Sequence, residues 1–288
     1  MGDASTDGSP AAGATPALGL PPAHGAAPPR GTLERLRSLC PTVSVGTLTA
    51  DLMHLSDELA VLERAGVGMV HVDVMDGCFC PAMTVGPPYV KGLRTPLLKD
   101  VHLMVHEPLE KLAAYVAAGA DIITVQVESA VHIHRVLQRL GGMEHAAGPG
   151  RGVVRGLALN PGTPLAWLSP PLLDELEMVV LLGIDPGWSG QKFAPTTYAR
   201  VARVKEMIAT AGKDVLVCVD GGITRDNIAE VAAAGADIVV TGSAVFVGRA
   251  AAANAGSMLA AMRGTAGGSA SRQAGAPPGA ARGADQHD

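Results

Sequence analysis

Apolar and polar positions along this chain follow two alternating rhythms. Eight short runs rich in Val, Ile and Leu have the look of strands buried on both faces: 43–48, 69–76, 100–105, 121–128, 154–160, 178–185, 215–220 and 237–241. Between several of them the apolar residues recur at helical spacing. Leu52, Leu55, Leu59 and Leu62 form one such face, Leu109, Leu112 and Val116 another, and Val201, Val204 and Ile208 a third. A join recurs as well. Ala65-Gly66-Val67-Gly68, Ala118-Gly119-Ala120-Asp121 and Ala234-Gly235-Ala236-Asp237 each close a helix and open an apolar run, with Gly supplying the left-handed stop. A β-then-α unit copied about eight times predicts a single α/β domain, a (β/α)8 barrel of the TIM type. The Gly-rich stretch 141–155 fits this pattern least well.

Composition sets the limits of that domain. Residues 1–30 hold 8 Ala, 6 Pro and 5 Gly, and residues 264–288 contain no Val, Ile, Leu, Met or aromatic residue. Neither segment can bury enough apolar surface to offset its ordering entropy. The expected division is therefore a mostly disordered tail over 1–42, the barrel over 43–263 and a second disordered tail over 264–288. Of the 288 residues, 22 are basic and 27 acidic, giving a net charge of −5 with no basic block, so neither nucleic acid nor an anionic membrane is an expected partner. No apolar run nears the ~18 residues that span a bilayer. The N-terminus lacks the basic and apolar regions of a secretory signal, and four cysteines are too few for a disulfide scaffold, which points to a cytoplasmic protein.

Candidate chemistry concentrates at strand ends. In His71-Val72-Asp73-Val74-Met75-Asp76-Gly77, residues two apart share a face, so His71, Asp73 and Met75 point together into the barrel. His102 and Met104 do the same on the next strand, and Asp220 ends the seventh. Two His and two Asp converging on one mouth suit a divalent cation with nitrogen and oxygen ligands. A second cluster is Gly-rich: Asp185-Pro186-Gly187-Trp188-Ser189-Gly190-Gln191, Asp220-Gly221-Gly222 and Thr241-Gly242-Ser243 follow strands six, seven and eight. Such turns expose backbone N–H groups able to hold a phosphate. Cys78-Phe79-Cys80 lacks metal-pair spacing, and His132 and His134 flank an apolar helical face as surface residues. No Lys falls at a strand's C-terminal end to form a Schiff base, and no strand-linked Gly-x-Gly-x-x-Gly signals a dinucleotide.

Taken in order, HVDVMDG (71–77), KDVHLMVHEPLE (99–110), GADIIT (119–124), LNPGTPL (159–165), DPGWSGQKF (185–193), VDGGIT (219–224) and TGSAVF (241–246) resemble the ribulose-phosphate 3-epimerase family. The resemblance spans about 43–250. It implies one divalent ion (Zn, Fe(II), Mn or Co) held by His71, Asp73, His102 and Asp220, with Asp73 and Asp220 also serving as the catalytic acid/base pair. It places Gly46, His102, Gly187, Trp188, Ser189, Gly190, Gly221, Gly222, Gly242 and Ser243 against a phosphorylated ketose, with Met75 and Met104 packed on the enediolate. The expected reaction is interconversion of D-ribulose 5-phosphate and D-xylulose 5-phosphate by a homo-oligomer, dimer or hexamer. Four positions depart from the family pattern: Gly46 stands for a substrate-contacting Ser, Ala82 for Asn, Leu182 for Met, and Trp188-Ser189 for Phe-Gly. These departures leave open another ketose phosphate such as D-allulose 6-phosphate, or a non-catalytic phosphosugar-binding barrel. A decarboxylase of the wider superfamily is disfavoured, because its Asp-x-Lys-x-x-Asp spacing is absent.

Overall fold

The structure, a computed structural model, describes residues 30–148, 150–188 and 190–272, with backbone only for residue 30 and residues 265–272. The expectations for 1–29, Ser189 and 273–288 lie outside the described residues. Eight parallel strands close in sequence order into a barrel: β1 (Thr42–Gly46), β2 (Met69–Met75), β3 (Leu98–Met104), β4 (Ile122–Gln126), β5 (Val154–Leu159), β6 (Met178–Leu182), β7 (Leu216–Asp220) and β8 (Ile238–Thr241). Each falls on an apolar run expected from the sequence. Around them lie α1 (Arg30–Leu39), α2 (Leu55–Arg64), α3 (Pro87–Gly92), α4 (Leu112–Ala117), α5 (Ile133–Gly141), α6 (Pro170–Leu173), α7 (Thr196–Thr210), α8 (Ile228–Ala233), α9 (Ser243–Phe246) and α10 (Ala251–Arg272).

The strands read as continuous apolar runs because both of their faces are buried. Outward residues such as Val70, Val72 and Val74 of β2 and Val217 and Val219 of β7 share one outer core with the helix faces of Leu59 and Leu62 on α2 and of Val201, Val204 and Ile208 on α7. Inward residues form a second core inside the barrel, with Met69, Leu98, Ile122, Val154, Met178, Leu216 and Ile238 near its N-terminal end. The Gly of each recurring join does adopt the left-handed conformation: φ is 82° at Gly66, 87° at Gly119 and 110° at Gly235.

Two segments expected to be tail are helical. Within 30–39, α1 sets Leu33 and Leu36 three residues apart on one face and presses both into the inner core, plugging the barrel's N-terminal end. Thr32 anchors this helix to the Gly-rich stretch, its N–H and hydroxyl donating to the Arg151 and Gly152 carbonyls at 3.0 Å each. At the other end, α10 runs past 263 to Arg272. Ala255, Met258, Leu259 and Met262 bury one face of it. Extending a helix that is already nucleated adds one hydrogen bond per residue fixed, and this carries the backbone beyond the last large apolar side chain.

Candidate active site

Register assembles the site. β2 and β3 pair so that His71 lies beside Asp100, Asp73 beside His102, and Met75 beside Met104. All six face inward on alternate positions, and Asp220 closes the ring from the end of β7. His71 Nε2 stands 3.2 Å from Asp73 Oδ1 and 3.6 Å from Asp220 Oδ2. His102 Nδ1 stands 3.1 Å from Asp220 Oδ2 and 4.0 Å from Asp73 Oδ1. One ligand atom from each of the four residues lies within 4.8 Å of the others.

The surroundings orient this cluster. His71 Nδ1 donates to Asp100 Oδ2 at 2.8 Å, and the Ser44 hydroxyl donates to the same oxygen at 3.0 Å, so the other ring nitrogen of His71 is left facing Asp73 and Asp220. His71, Asp100 and His102 are almost wholly buried. Burial opposes the His71 charge, yet the carboxylates of Asp100, Asp73 and Asp220 outweigh it and hold the imidazole well above its ordinary pKa. Burial likewise opposes ionisation of Asp73, and the imidazoles of His71 and His102 win, leaving its carboxyl below the ordinary value. The donor set fits a divalent cation. It offers two imidazole nitrogens and two carboxylates, and a carboxylate supports the far nitrogen of His71 as is usual behind a metal-bound histidine.

Two joined cavities open above the cluster. The first, about 540 Å³, is lined by Gly46, Thr49, Gly221, Gly222, Gly242 and Ser243 among others, with Lys192 as the cation among its described lining residues. Gly221 and Gly222 have φ of 89° and 72°, a backbone conformation that favours Gly. Asn227 fixes this turn: its amide donates to the Gly222 carbonyl at 2.9 Å, while its oxygen accepts the Thr224 N–H at 2.8 Å. The second, about 530 Å³, is lined by Met75, Met104, Ala82, Leu182, Gly187 and Trp188 among others, and it shares Leu48, Thr49, Asp73, Asp220 and Gly221 with the first. A Cβ at Gly187 would meet Cys80 and Pro81 at 2.8 Å, so Gly there lets the loops after β2 and β6 touch.

Of the residues singled out from sequence, His71, Asp73, His102 and Asp220 converge, while Gly46, Gly221, Gly222, Gly242 and Ser243 meet in the first cavity and Met75, Met104, Gly187 and Trp188 in the second. Gly190 is not among the residues lining either cavity. Three of the four departures, Ala82, Leu182 and Trp188, share the second cavity, and Gly46 lies in the first. Sequence reasoning missed Asp100, Thr49 and Asn227. Asp100 did carry a signal, since it stands two residues before His102 and therefore on the same strand face.

Residues 42–246 match the ribulose-phosphate 3 epimerase family. The chain belongs to that family. It is 39% identical over 207 residues to the ribulose-phosphate 3-epimerase of Bacillus subtilis, covering 71% of this chain and 91% of that one. The Escherichia coli K12 ribulose-phosphate 3-epimerase is 39% identical over 210 residues, covering 71% and 88%. The family is one of isomerases, and this chain is an isomerase of the epimerase type. Solved structures share the barrel at lower identity. A KGPDC from Streptococcus mutans gives a TM-score of 0.56 at 13% identity, covering 78% of this chain and 99% of that one. The 3-hexulose-6-phosphate synthase of Salmonella typhimurium gives 0.54 at 13%, covering 78% and 99%.

Proposed function

We propose that this epimerase interconverts D-ribulose 5-phosphate and D-xylulose 5-phosphate, with Asp73 and Asp220 as the two bases. The observation that carries this reading is the pair of carboxylates converging on two imidazoles at the floor of a two-lobed mouth. One aspartate removes the proton at C3 and the other returns a proton to the opposite face, which inverts the centre. His71, Asp73, His102 and Asp220 would hold one divalent ion, which when bound supplies positive charge where the ketone oxygen becomes negative. Gly221, Gly222, Gly242 and Ser243 offer backbone N–H groups to the substrate phosphate in the first cavity, with Lys192 nearby. Met75 and Met104 line the second cavity with apolar surface and keep water from the planar intermediate.

The substrate follows from the family's namesakes, and the four departures at the mouth provide the contrast. Protein reconstituted with a divalent cation is assayed on D-ribulose 5-phosphate and on D-allulose 6-phosphate. The expected result is faster turnover of the pentulose. Turnover of the hexulose alone would make Gly46, Ala82, Leu182 and Trp188 determinants of a longer substrate. Binding of both sugars without interconversion, with cation bound, would overturn catalysis and leave a phosphosugar-binding barrel.

A further inference from the structure

The two histidines of the site are supported differently, and the support of His102 leads away from the centre. Gln126, fully buried near the end of β4, places its side-chain amide 3.3 Å from His102 Nε2. Two acceptors decide which way that amide points. The Ala158 carbonyl at 3.2 Å and Glu128 Oε2 at 3.0 Å both take hydrogens from its NH2, so its oxygen faces the imidazole. An amide oxygen can only accept, so Nε2 of His102 carries a hydrogen. In the neutral ring that is its one ring hydrogen, and the Nδ1 lone pair then faces Asp220 at 3.1 Å and Asp73 at 4.0 Å, where a bound cation would sit.

Glu128 is in turn held from outside. Its Oε1 accepts the Asn160 N–H at 2.9 Å and the Thr163 hydroxyl. Arg200 on α7 donates to the carbonyls of the same loop, at 2.8 Å to Thr163 and 3.1 Å to Asn160. A continuous set of contacts thus runs from α7 through the loop after β5 to Glu128, Gln126 and His102.

We infer that Gln126 is a positioning residue that fixes the tautomer of His102 so that Nδ1 faces the aspartate pair, and that Glu128 fixes the orientation of Gln126. Its use in catalysis rests on the reading of the four residues as a cation site. A neutral amide does this without adding a further negative charge to a cluster that already holds Asp73, Asp100 and Asp220. An apolar side chain at 126 would leave a buried ring N–H without an acceptor, and moving the hydrogen to Nδ1, against Asp220, relieves that.

The test uses the full chain, labelled with ¹⁵N at histidine and free of metal, at a pH where both imidazoles are neutral. Long-range ¹H–¹⁵N correlations report each ring's tautomer. Wild type is expected to show His102 protonated at Nε2. In Gln126→Leu a substantial fraction shifts to Nδ1–H while His71 keeps its signature, and cobalt(II) affinity falls about 10- to 100-fold. Glu128→Ala alters an exposed residue and preserves folding even where the core variant does not; it is expected to move both readouts the same way by a smaller factor. An unchanged His102 tautomer in both variants would overturn the inference. Cobalt(II) uptake by the wild type is read separately, and its failure would remove the cation site without touching the tautomer result.

Discussion

The two ends of the barrel each hold inward or half-buried carboxylates, but they balance them differently. At the N-terminal end the carboxylates of Asp121, Glu175, Glu177 and Asp237 each meet a fixed cation, even where, as at Asp121, an imidazole (His145 Nε2, 3.2 Å) stands beside it as well. Asp121 pairs with Arg151 at 2.7 Å and also accepts the Lys99 N–H at 2.9 Å. Arg155 bridges Glu175 at 2.7 Å and Glu177 at 2.6 Å, and Asp237 holds Lys205 at 2.7 Å and the Val217 N–H at 2.7 Å. At the C-terminal end Asp73 and Asp220 meet imidazoles, and among the described residues neither pairs with a Lys or Arg. Carboxylates satisfied by fixed charge hold strands together. Those matched only by groups that can shed a proton leave charge for a ligand to complete and remain free to exchange protons.

The sharpest way to break this contrast is to neutralise one charge at each end. Asp220→Asn is expected to lower turnover on D-ribulose 5-phosphate by at least about 10³-fold, within the range for loss of an acid/base group. Its melting temperature in the absence of metal should hold or rise, because it relieves crowding among Asp73, Asp100 and Asp220. Substantial residual turnover in a steady-state assay would refute the two-base assignment. Arg155→Met makes the opposite change. Two buried carboxylates lose their cation, and denaturant unfolding should show a loss of about 3–5 kcal/mol. Turnover per folded molecule should stay near wild type, and a comparable fall in kcat would show that the two ends are coupled.

Much of this division was legible in the sequence, but not all of it. Strands buried on both faces announce themselves as apolar runs, so all eight were placed. The quartet was legible because His71 and Asp73 interrupt such a run at alternate positions. The roles of Asp121 and Asp237 in the repeated joins, and of Asp100 beside His102, were not. Alternation tells which way a side chain points; only register tells which strand it meets, and at what height. The helix over 30–39 escaped for a related reason. Leu33 and Leu36 acquire a purpose only once the barrel exists beneath them, and Leu36→Ala should then cost about 2–5 kcal/mol, read by the same unfolding curves.

Asp76 sharpens the comparison, because it stands at the mouth yet is satisfied in the manner of the opposite end. Its burial opposes ionisation, but the N–H groups of Phe79, Cys78 and His106 and the Lys111 ammonium all donate to it, bringing its pKa down to about 2. A depressed folded-state pKa means the stabilisation is in full force above the ordinary carboxyl value near ~4 and disappears as pH falls through about 2. The side chain is partly exposed to solvent, so the contribution is at most about 1–2 kcal/mol after screening. Asp76→Asn should remove that acid-range dependence from the unfolding free energy while sparing the proton-transfer step. A variant that kept the wild-type slope between those pH values would show that the loops after β2 and β3 are held by other contacts.

The smallest effect concerns Gly46, at the edge of the first cavity. Its φ of −65° is ordinary for any residue, and a Cβ there would meet nothing nearer than the Gly242 Cα at 3.6 Å, ordinary contact. Nothing in the backbone therefore demands Gly, and the side chain's absence leaves space between β1 and β8 at the mouth. Gly46→Ser should leave the unfolding free energy unchanged within about 0.5 kcal/mol. A hydroxyl aimed into that space can add one hydrogen bond to substrate, worth about 0.5–1.5 kcal/mol, or about 2- to 12-fold in kcat/KM for D-ribulose 5-phosphate. A rise for the pentulose with a fall for D-allulose 6-phosphate would mark Gly46 as room kept for a longer sugar, whereas equal changes for both would mean that the missing side chain does not discriminate. No change for either substrate would place the bound sugar out of reach of β1 and shift attention to Thr49, the hydroxyl that lines both cavities.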